Sequence, residues 1–120
     1  MITQIIPKLP FIKKEETLHY FTEKLGFSMI SDYDDYFILK IDSEEIHFFE
    51  FENLDPKKSD FMIYLRIENI DEFYKILQTK NVEIHPNGTL ETKPWNQKEF
   101  SLLDPNGTLL TFGENAPSST

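Results

Sequence analysis

Hydrophobic and polar residues follow one another along this chain in an order that predicts the same set of elements twice. A strand-like run, an amphipathic helical run and three further strand-like runs are followed by a polar linker, after which the order begins again. The first half predicts strands at 5–11, 27–33, 36–41 and 45–51, a helix at 14–25 and a linker at 52–60. The second half predicts strands at 61–67, 82–85, 100–104 and 108–113, with a helix after Asn69.

Turn and cap signals separate these runs. Gly26 and Asn81 each follow a helical run and are predicted to adopt the left-handed conformation that ends a helix. Asn69 with Glu72 has the spacing of a capping box. Asn106-Gly107 is the strongest hairpin signal in the chain. The buried stripes of the two helices are predicted to be Leu18, Phe21 and Leu25, and Ile70, Phe73, Ile76 and Leu77.

The element order predicts an α+β fold made of two βαβββ modules. One half has too few elements to cover both faces of its sheet, so the two modules should pack together. We expect a curved mixed sheet with the helices outside and a ligand on the inner face. The predicted boundaries are a single domain at 1–113, with modules at about 5–51 and 61–113, and a flexible tail at 114–120.

Composition narrows the class of protein. The formal net charge of −9 disfavours a nucleic-acid partner, because phosphate contacts need clustered Lys and Arg. The same charge favours cationic ligands, and the eleven Phe, five Tyr and one Trp offer flat apolar surface for one. Cysteine is absent, no signal peptide is visible and no run is long enough to cross a bilayer. We therefore expect a cytoplasmic protein with no membrane partner.

Several motifs resemble a known family. Leu25-Gly26-Phe27 after a helix and the run Asp104-Pro105-Asn106-Gly107-Thr108-Leu109-Leu110 resemble the vicinal-oxygen-chelate superfamily of glyoxalases, dioxygenases and bleomycin-resistance proteins. The resemblance extends from about Ile6 to Phe112. It is sharpened towards the bleomycin-resistance proteins by Trp95 before Glu99-Phe100, Tyr36–Leu39, Phe48-Phe49 and Leu54-Asp55-Pro56.

The resemblance also implies where metal ligands would lie. Enzymes of the superfamily hold a divalent ion with His and Glu side chains on inner strands, and the matching positions here are Ile6, His47, Met62 and Thr111. Only His47 is a suitable ligand type, since an aliphatic chain, a thioether and a hydroxyl do not form such a site. We therefore expect no catalytic metal and no cofactor.

The function that the resemblance implies is binding. Bleomycin-resistance proteins are homodimers that sequester a flat cationic antibiotic in grooves between subunits. The alternative is an enzyme of the same fold that uses His47, Glu45 or Glu99 as acid or base on an unknown small substrate. A third possibility is a relative that binds some other small ligand.

Strand alternation selects candidate residues in the first module. If His47 points to the inner face, then Glu45, Phe49 and Phe51 share that face. Phe49 and Phe51 would then either stack on a ligand or pack at a dimer interface. The residues predicted to face the helix are Ile46 and Phe48.

The hairpin formed by the strands predicted at 27–33 and 36–41 supplies three further candidates. The resemblance places it at the mouth of the binding cleft, where Asp32 would meet a cation and Tyr36 a flat ring, with Tyr33 beside them. Asp34 and Asp35 have the composition of an ordinary acidic turn.

Candidates in the second module are Tyr64 and Trp95. Alternation along the strand puts Tyr64 and Arg66 on the same face as Met62, where they would line the same groove. For Arg66 the alternative, which we favour, is pairing with a local carboxylate. Trp95 lies in a predicted polar loop at 86–98, where it would be a ligand-stacking lid or a cap over the sheet end.

Overall fold

The computed structural model describes residues 1–116 and contains two four-stranded mixed sheets, with strand orders β1-β4-β3-β2 and β5-β8-β7-β6. The strands are β1 Lys8–Phe11, β2 Ser28–Tyr33, β3 Tyr36–Ile41, β4 Glu44–Glu50, β5 Met62–Arg66, β6 Glu91–Thr92, β7 Gln97–Leu103 and β8 Leu109–Asn115. Helix α1 spans Lys14–His19 and continues as a π-helical turn at Tyr20–Lys24. Helix α2 spans Ile70–Thr79, and a short 3-10 turn lies at Pro56–Lys58. The predicted α+β fold of two βαβββ modules is confirmed.

The first unit comprises Met1–Phe61 and Pro105–Thr108. Its strand β1 is parallel to β4, while the remaining neighbours are antiparallel. The rings of Phe37 and Phe48 stack with centroids 4.8 Å apart, and Phe21 of the helical segment packs edge-on against Phe48. Burial of these three rings fixes the helix on one face of the sheet and leaves the other face free for polar side chains.

The second unit comprises Met62–Asp104 and the strand that begins at Leu109. Its register repeats that of the first: β5 is parallel to β8, and Phe100 of β7 lies opposite Phe112 of β8. These two rings stack at 5.2 Å, as Phe37 and Phe48 do in the first unit. The doubled pattern in the sequence therefore corresponds to a doubled core arrangement.

The strand predicted at 82–85 is wrong. His85 N donates to Ser101 O, and Ser101 N donates to Gly88 O, which lies three residues beyond the segment. Pro86 lacks an N–H, so no ladder continues along it. The fourth strand of the sheet is instead β6, inside the region predicted as a loop at 86–98.

The start of α2 also differs from the prediction. Asn69 precedes the helix in the left-handed conformation with φ 57° and makes no side-chain cap. The carboxylate of Glu114 takes that place, because the backbone N–H groups of Asn69 and Ile70 donate to it at 2.8 and 3.2 Å. The capping box with Glu72 is therefore wrong.

Other boundaries and helix positions are partly as predicted. Gly26 and Asn81 have positive φ, as expected of helix terminators. Ile76 is 42% exposed and lies outside the buried stripe of α2. Strand β8 continues to Asn115, two residues past the predicted domain end, and residues 117–120 of the predicted tail lie outside the described residues.

The turn between β7 and β8 contains a buried polar anchor. Asn106 accepts a hydrogen bond from Ile12 N at 2.8 Å and donates to Thr17 Oγ1 at 3.1 Å. Gly107 has φ 81° and approaches the carbonyl of Pro56 so closely that a Cβ would collide with it. The turn is thus held by specific contacts as well as by its own geometry. Within residues 1–116, no helix is long and apolar enough to cross a membrane.

Candidate functional site

In the first unit, the sheet face away from the helix carries polar and aromatic side chains in two rows. One row contains Lys8, Ile38 and His47, and the other contains Pro10, Tyr33, Tyr36 and Phe49. Ile46 and Phe48 are buried on the opposite, helix-facing side. The predicted alternation along this strand is therefore confirmed.

A hydrogen-bonded chain of three side chains crosses this face. The hydroxyl of Tyr36 lies 2.7 Å from Nδ1 of His47, and Nε2 of His47 lies 2.9 Å from Oε1 of Glu45. The rings of Tyr36 and His47 meet edge-on, with centroids 5.5 Å apart. Both nitrogens of the imidazole are therefore occupied by partners from this unit.

An aromatic group lies beside this chain of hydrogen bonds. Phe49, Phe51 and Phe61 have centroids between 6.0 and 6.4 Å apart, and Phe51 is partly exposed. Sequence reasoning identified Phe49 and Phe51 and missed Phe61, because Phe61 opened a predicted strand rather than a predicted site. Its one signal was a large apolar residue directly after a polar linker.

An open cavity of about 520 Å³ lies at this end of the first unit. It is lined by Lys8, Asp35, Tyr36, Phe49, Glu50 and Glu52. Asp35, which was interpreted as an ordinary turn residue, is thus part of the lining. Lys8 also lies with its ammonium nitrogen 5.4 Å from the centroid of the Tyr36 ring, within the range of a cation–π contact.

In the hairpin of β2 and β3, Asp32 lies on a different face of the sheet from Tyr33 and Tyr36. Asp32 is the register partner of Phe37, so its side chain projects to the helix side of the sheet, where it forms an ion pair with Lys14. Tyr33 is the register partner of Tyr36 and is exposed on the same face as Tyr36. Because adjacent strand residues alternate between faces, Asp32 lies on the opposite face of the sheet from Tyr33 and its partner Tyr36.

In the second unit, a buried carboxylate holds two aromatic side chains. Glu99 is 7% exposed, and its Oε2 accepts hydrogen bonds from the Tyr64 hydroxyl at 2.8 Å and from Trp95 Nε1 at 3.1 Å. Trp95 occupies the turn between β6 and β7 and remains 61% exposed. Glu99 therefore fixes the polar edge of an indole whose face is open to solvent.

The space that Tyr64 occupies depends on a glycine. A Cβ at position 113 would collide with the hydroxyl end of Tyr64, so the tyrosine reaches Glu99 only because residue 113 is Gly. The Arg66 guanidinium lies 5.5 Å from the Tyr64 ring centroid and donates to Oδ1 of Asn115 at 3.2 Å. An amide is therefore its hydrogen-bond partner where a carboxylate was expected. Sequence reasoning missed Gly113, which looked like a strand-end residue.

The surroundings of the Tyr64 hydroxyl raise its pKa. Burial raises the pKa of Tyr64 above its ordinary value of 10.0, and the hydrogen bond and the charge of Glu99 raise it further, while Arg66 acts in the opposite direction. Tyr64 as a whole is nonetheless 45% exposed, so solvent screens its hydroxyl. The raised pKa therefore contributes little to the free energy of unfolding. At neutral pH the phenol is a hydrogen-bond donor.

The positions that correspond to metal ligands in the superfamily do not form a metal site here. His47 is engaged by Tyr36 and Glu45, the Thr111 hydroxyl is bonded to Ser101 at 3.0 Å, and Met62 is exposed. Across residues 1–116, no group of three or more His, Asp or Glu side chains is arranged to hold a metal ion. The side chains at these positions therefore do not fit a divalent metal.

Element order, sheet topology and the polar faces define an α+β protein built from two βαβββ modules. The model of the Glyoxalase/Bleomycin resistance protein/Dioxygenase superfamily matches residues 13–112, and the chain belongs to that superfamily.

Proteins similar to this chain include bleomycin resistance proteins. A bleomycin resistance protein of Klebsiella pneumoniae is 29% identical over 96% of this chain and 94% of its own length. The crystal structure of a bleomycin resistance determinant encoded on transposon Tn5 has a TM-score of 0.85 and 28% identity, covering 95% of this chain and 98% of that one. A bleomycin-binding protein in complex with bleomycin has a TM-score of 0.84 and 29% identity, covering 95% and 99%.

Proposed function

We propose that this protein binds bleomycin or a similar flat cationic antibiotic and sequesters it, as a homodimer in the cytoplasm and without a catalytic metal. The similar protein that was crystallised with bleomycin covers nearly the whole chain at 29% identity. The residues proposed to contact the ligand are Tyr33, Tyr36, His47, Phe49, Phe51, Tyr64 and Trp95.

The observation that carries the proposal is the exposed indole of Trp95. Its Nε1–H is held by the buried carboxylate of Glu99, while its ring remains open. A ring that is oriented before binding loses little conformational freedom when a ligand stacks on it. The flat heteroaromatic part of such a drug is the group that this surface fits.

The charge of the protein supports a cationic ligand. The chain carries a formal net charge of −9, and Asp35, Glu50 and Glu52 line the cavity beside Tyr36 and Phe49. Carboxylates near aromatic faces attract an organic cation over a distance and then hold it close to a ring. We therefore expect the association rate to fall as the salt concentration rises.

An apolar row in the second unit supports a homodimer. Met62 and Leu103 are both register partners of Leu109, and both are exposed. Large apolar side chains side by side on a sheet face are typical of a surface that another chain covers. Light scattering during gel filtration would give twice the mass of one chain if this proposal is correct, and the mass of one chain if it is wrong.

Calorimetric titration with metal-free bleomycin tests the binding proposal. We expect saturable binding, weakened about tenfold or more by Trp95→Ala and much less by Trp95→Phe, which keeps an aromatic face. Trp95→Phe is thus the matched control for loss of the ring. An absence of saturable heat at micromolar drug would overturn the proposed function.

Two further measurements separate sequestration from catalysis. Mass spectrometry of the drug after prolonged incubation should recover it unchanged, whereas a modified product would favour the enzyme alternative. Metal analysis of the purified protein should give no stoichiometric divalent ion, and one ion per chain would contradict the metal-free proposal.

A further inference from the structure

Arg66 is the one arginine of the chain, and it lies exposed on β5, on the same face of the sheet as Tyr64. Its guanidinium carbon is 5.5 Å from the centroid of the Tyr64 ring, and its Nη1 donates to Oδ1 of Asn115 at 3.2 Å. A guanidinium has five N–H donors, and this bond uses one of them. Among residues 1–116, no carboxylate forms an ion pair with Arg66. The guanidinium is therefore held by neutral groups, while its positive charge has no ion-pair partner in this part of the chain.

Two amide side chains support Arg66 in an order that its chemistry imposes. Because a guanidinium only donates hydrogen bonds, Asn115 must turn its oxygen, and not its nitrogen, towards Arg66. Nε2 of Gln97 donates to the same oxygen at 2.6 Å. The other amide atom of Gln97, Oε1, is buried and has no hydrogen-bond partner among residues 1–116, which is unfavourable. The orientation of Gln97 is thus fixed by Arg66 through Asn115, and it leaves one buried oxygen unpaired.

We propose that Arg66 forms, with Tyr64 and Trp95, a binding site for aromatic carboxylates in the second unit. The planar fork of a guanidinium matches the two oxygens of a carboxylate and binds them through parallel hydrogen bonds. Two aromatic rings lie in the same cluster, because the Tyr64 hydroxyl and Trp95 Nε1 donate to one oxygen of Glu99. A ligand whose carboxylate is attached to a ring fits both features. The site takes an anion, so it goes beyond the cationic ligand proposed above.

Negative charges near the site limit how strongly an anion can bind. The chain has a formal net charge of −9, and Glu99 lies opposite Gly113 in the ladder, as Arg66 does from the other side. Glu91 faces Glu99 from β6, but it is paired with Lys93. Since Arg66 is exposed, its attraction for an anion is also screened by solvent. We therefore expect binding at roughly millimolar concentrations, and only for ligands whose ring contributes to the contact.

Titration followed by NMR tests the site in the whole protein. Since the chain has one arginine and one tryptophan, its guanidinium Nε–Hε signal belongs to Arg66 and its indole N–H signal to Trp95. Benzoate, which is ionised at neutral pH, should shift both signals in a saturable way. Benzamide has the same ring without the charge and should bind about tenfold more weakly, as should acetate, which has the charge without the ring. If benzamide bound as well as benzoate, the role of Arg66 would be wrong, and if acetate did, the role of the rings would be wrong.

Substitutions at Arg66 separate a specific contact from the effect of net charge. Arg66→Gln should weaken benzoate binding, followed at the Trp95 indole signal, by about tenfold or more. Arg66→Lys should restore little of it, because an ammonium group lacks the planar fork. The matched control is Lys75→Gln, which removes one positive charge from an exposed position on α2 and should change the dissociation constant by less than about twofold. Equal losses in Arg66→Gln and Lys75→Gln would overturn the inference.

Gln97→Met tests the positioning role of the amide pair. The substitution removes the donor to Asn115 and also the buried oxygen that lacks a partner. We expect benzoate to bind about threefold more weakly, because Asn115 and the guanidinium are then less firmly oriented. The resistance of the protein to urea should stay the same or rise, since the unpaired oxygen is removed. Lower stability with unchanged benzoate binding would show that Gln97 has a structural role alone.

The outcomes also separate this inference from the proposed function. Benzoate binding that requires Arg66, in a protein that does not bind bleomycin, would keep the carboxylate site and remove the antibiotic. Bleomycin binding without a benzoate-dependent shift of the Arg66 signal would remove the carboxylate site alone.

Discussion

The hydroxyl end of Tyr64 occupies the space that a side chain at position 113 would need. Because Gly113 has no Cβ, Tyr64 crosses above strand β8 and donates a hydrogen bond to Glu99 at 2.8 Å on strand β7. The same carboxylate oxygen holds Trp95 at 3.1 Å. A glycine on one strand thus determines how an exposed indole on a neighbouring turn is supported.

Gly113→Ala should destabilise the protein by about 1–3 kcal/mol, because the added methyl group forces Tyr64 out of its position. Urea unfolding followed by circular dichroism measures this change in the free energy of unfolding. In a Tyr64→Ala background the same substitution should cost far less, since the colliding side chain is gone. Equal costs in the two backgrounds would show that Tyr64 does not fill this space.

The hydroxyl of Tyr64 should resist ionisation in alkaline solution. Burial and the carboxylate of Glu99 raise its pKa above 10.0, so the tyrosinate absorbance of this residue should appear at higher pH than that of an ordinary tyrosine. Because the folded-state pKa is raised, the associated stability is present below about pH 10 and is lost as the pH rises through the raised value. The difference spectrum between wild type and Tyr64→Phe isolates this signal.

Glu99→Gln should move the titration of Tyr64 towards lower pH, because the negative charge that opposes ionisation is removed. Glu91→Gln is a suitable control, since Glu91 lies opposite Glu99 in the ladder but is exposed. A Tyr64 titration unchanged by Glu99→Gln would contradict the cause assigned to the shift.

Glu99→Ala should loosen Trp95. The indole would lose its hydrogen-bond acceptor and gain freedom on the turn between β6 and β7. Since Trp95 is the one tryptophan of the chain, its fluorescence anisotropy should fall and its quenching by acrylamide should rise without interference. The control is Tyr64→Phe, which should leave the Trp95 hydrogen bond in place and change the anisotropy less.

Asn106→Ala should cost about 1–3 kcal/mol, because it leaves the Ile12 N–H without its acceptor in a buried turn. Thermal and chemical unfolding would both report the loss. Asn53→Ala, at an exposed turn position, should stay within about 0.5 kcal/mol of wild type. If the two variants were equally stable, Asn106 would not be an anchor of the first unit.

Glu114→Ala should destabilise helix α2 by about 0.5–2 kcal/mol, since two N–H groups at its start lose their acceptor. Asn69→Gly should cost little or stabilise, because Asn69 has positive φ and supplies no side-chain cap. Glu68→Ala, an exposed acidic neighbour of the same helix start, is the matched control. Hydrogen exchange of the first-turn amides of α2 locates the effect.

Local patterns in the sequence correctly predicted most of the helices and strands and the direction of side chains along β4. Alternation along 45–51 correctly separated Phe48 from His47, and the doubled order of elements correctly predicted two βαβββ modules. Residues with strong local preferences, such as Gly26 and Asn81, also behaved as predicted. These features depend on interactions within a few residues or on the fixed two-residue period of a strand, which a sequence displays directly.

The contacts that hold the candidate site were decided only by the tertiary structure. Glu114 replaces the expected cap of α2 from 44 residues away, and Asn106 reaches Thr17 across 89 residues. Gly113 makes room for Tyr64, and strand pairing places Asp32 on the helix side, where it meets Lys14. Such partners are brought together by strand pairing and packing between distant segments. Their chemistry is visible in the sequence, but their proximity exists only after the sheets have formed.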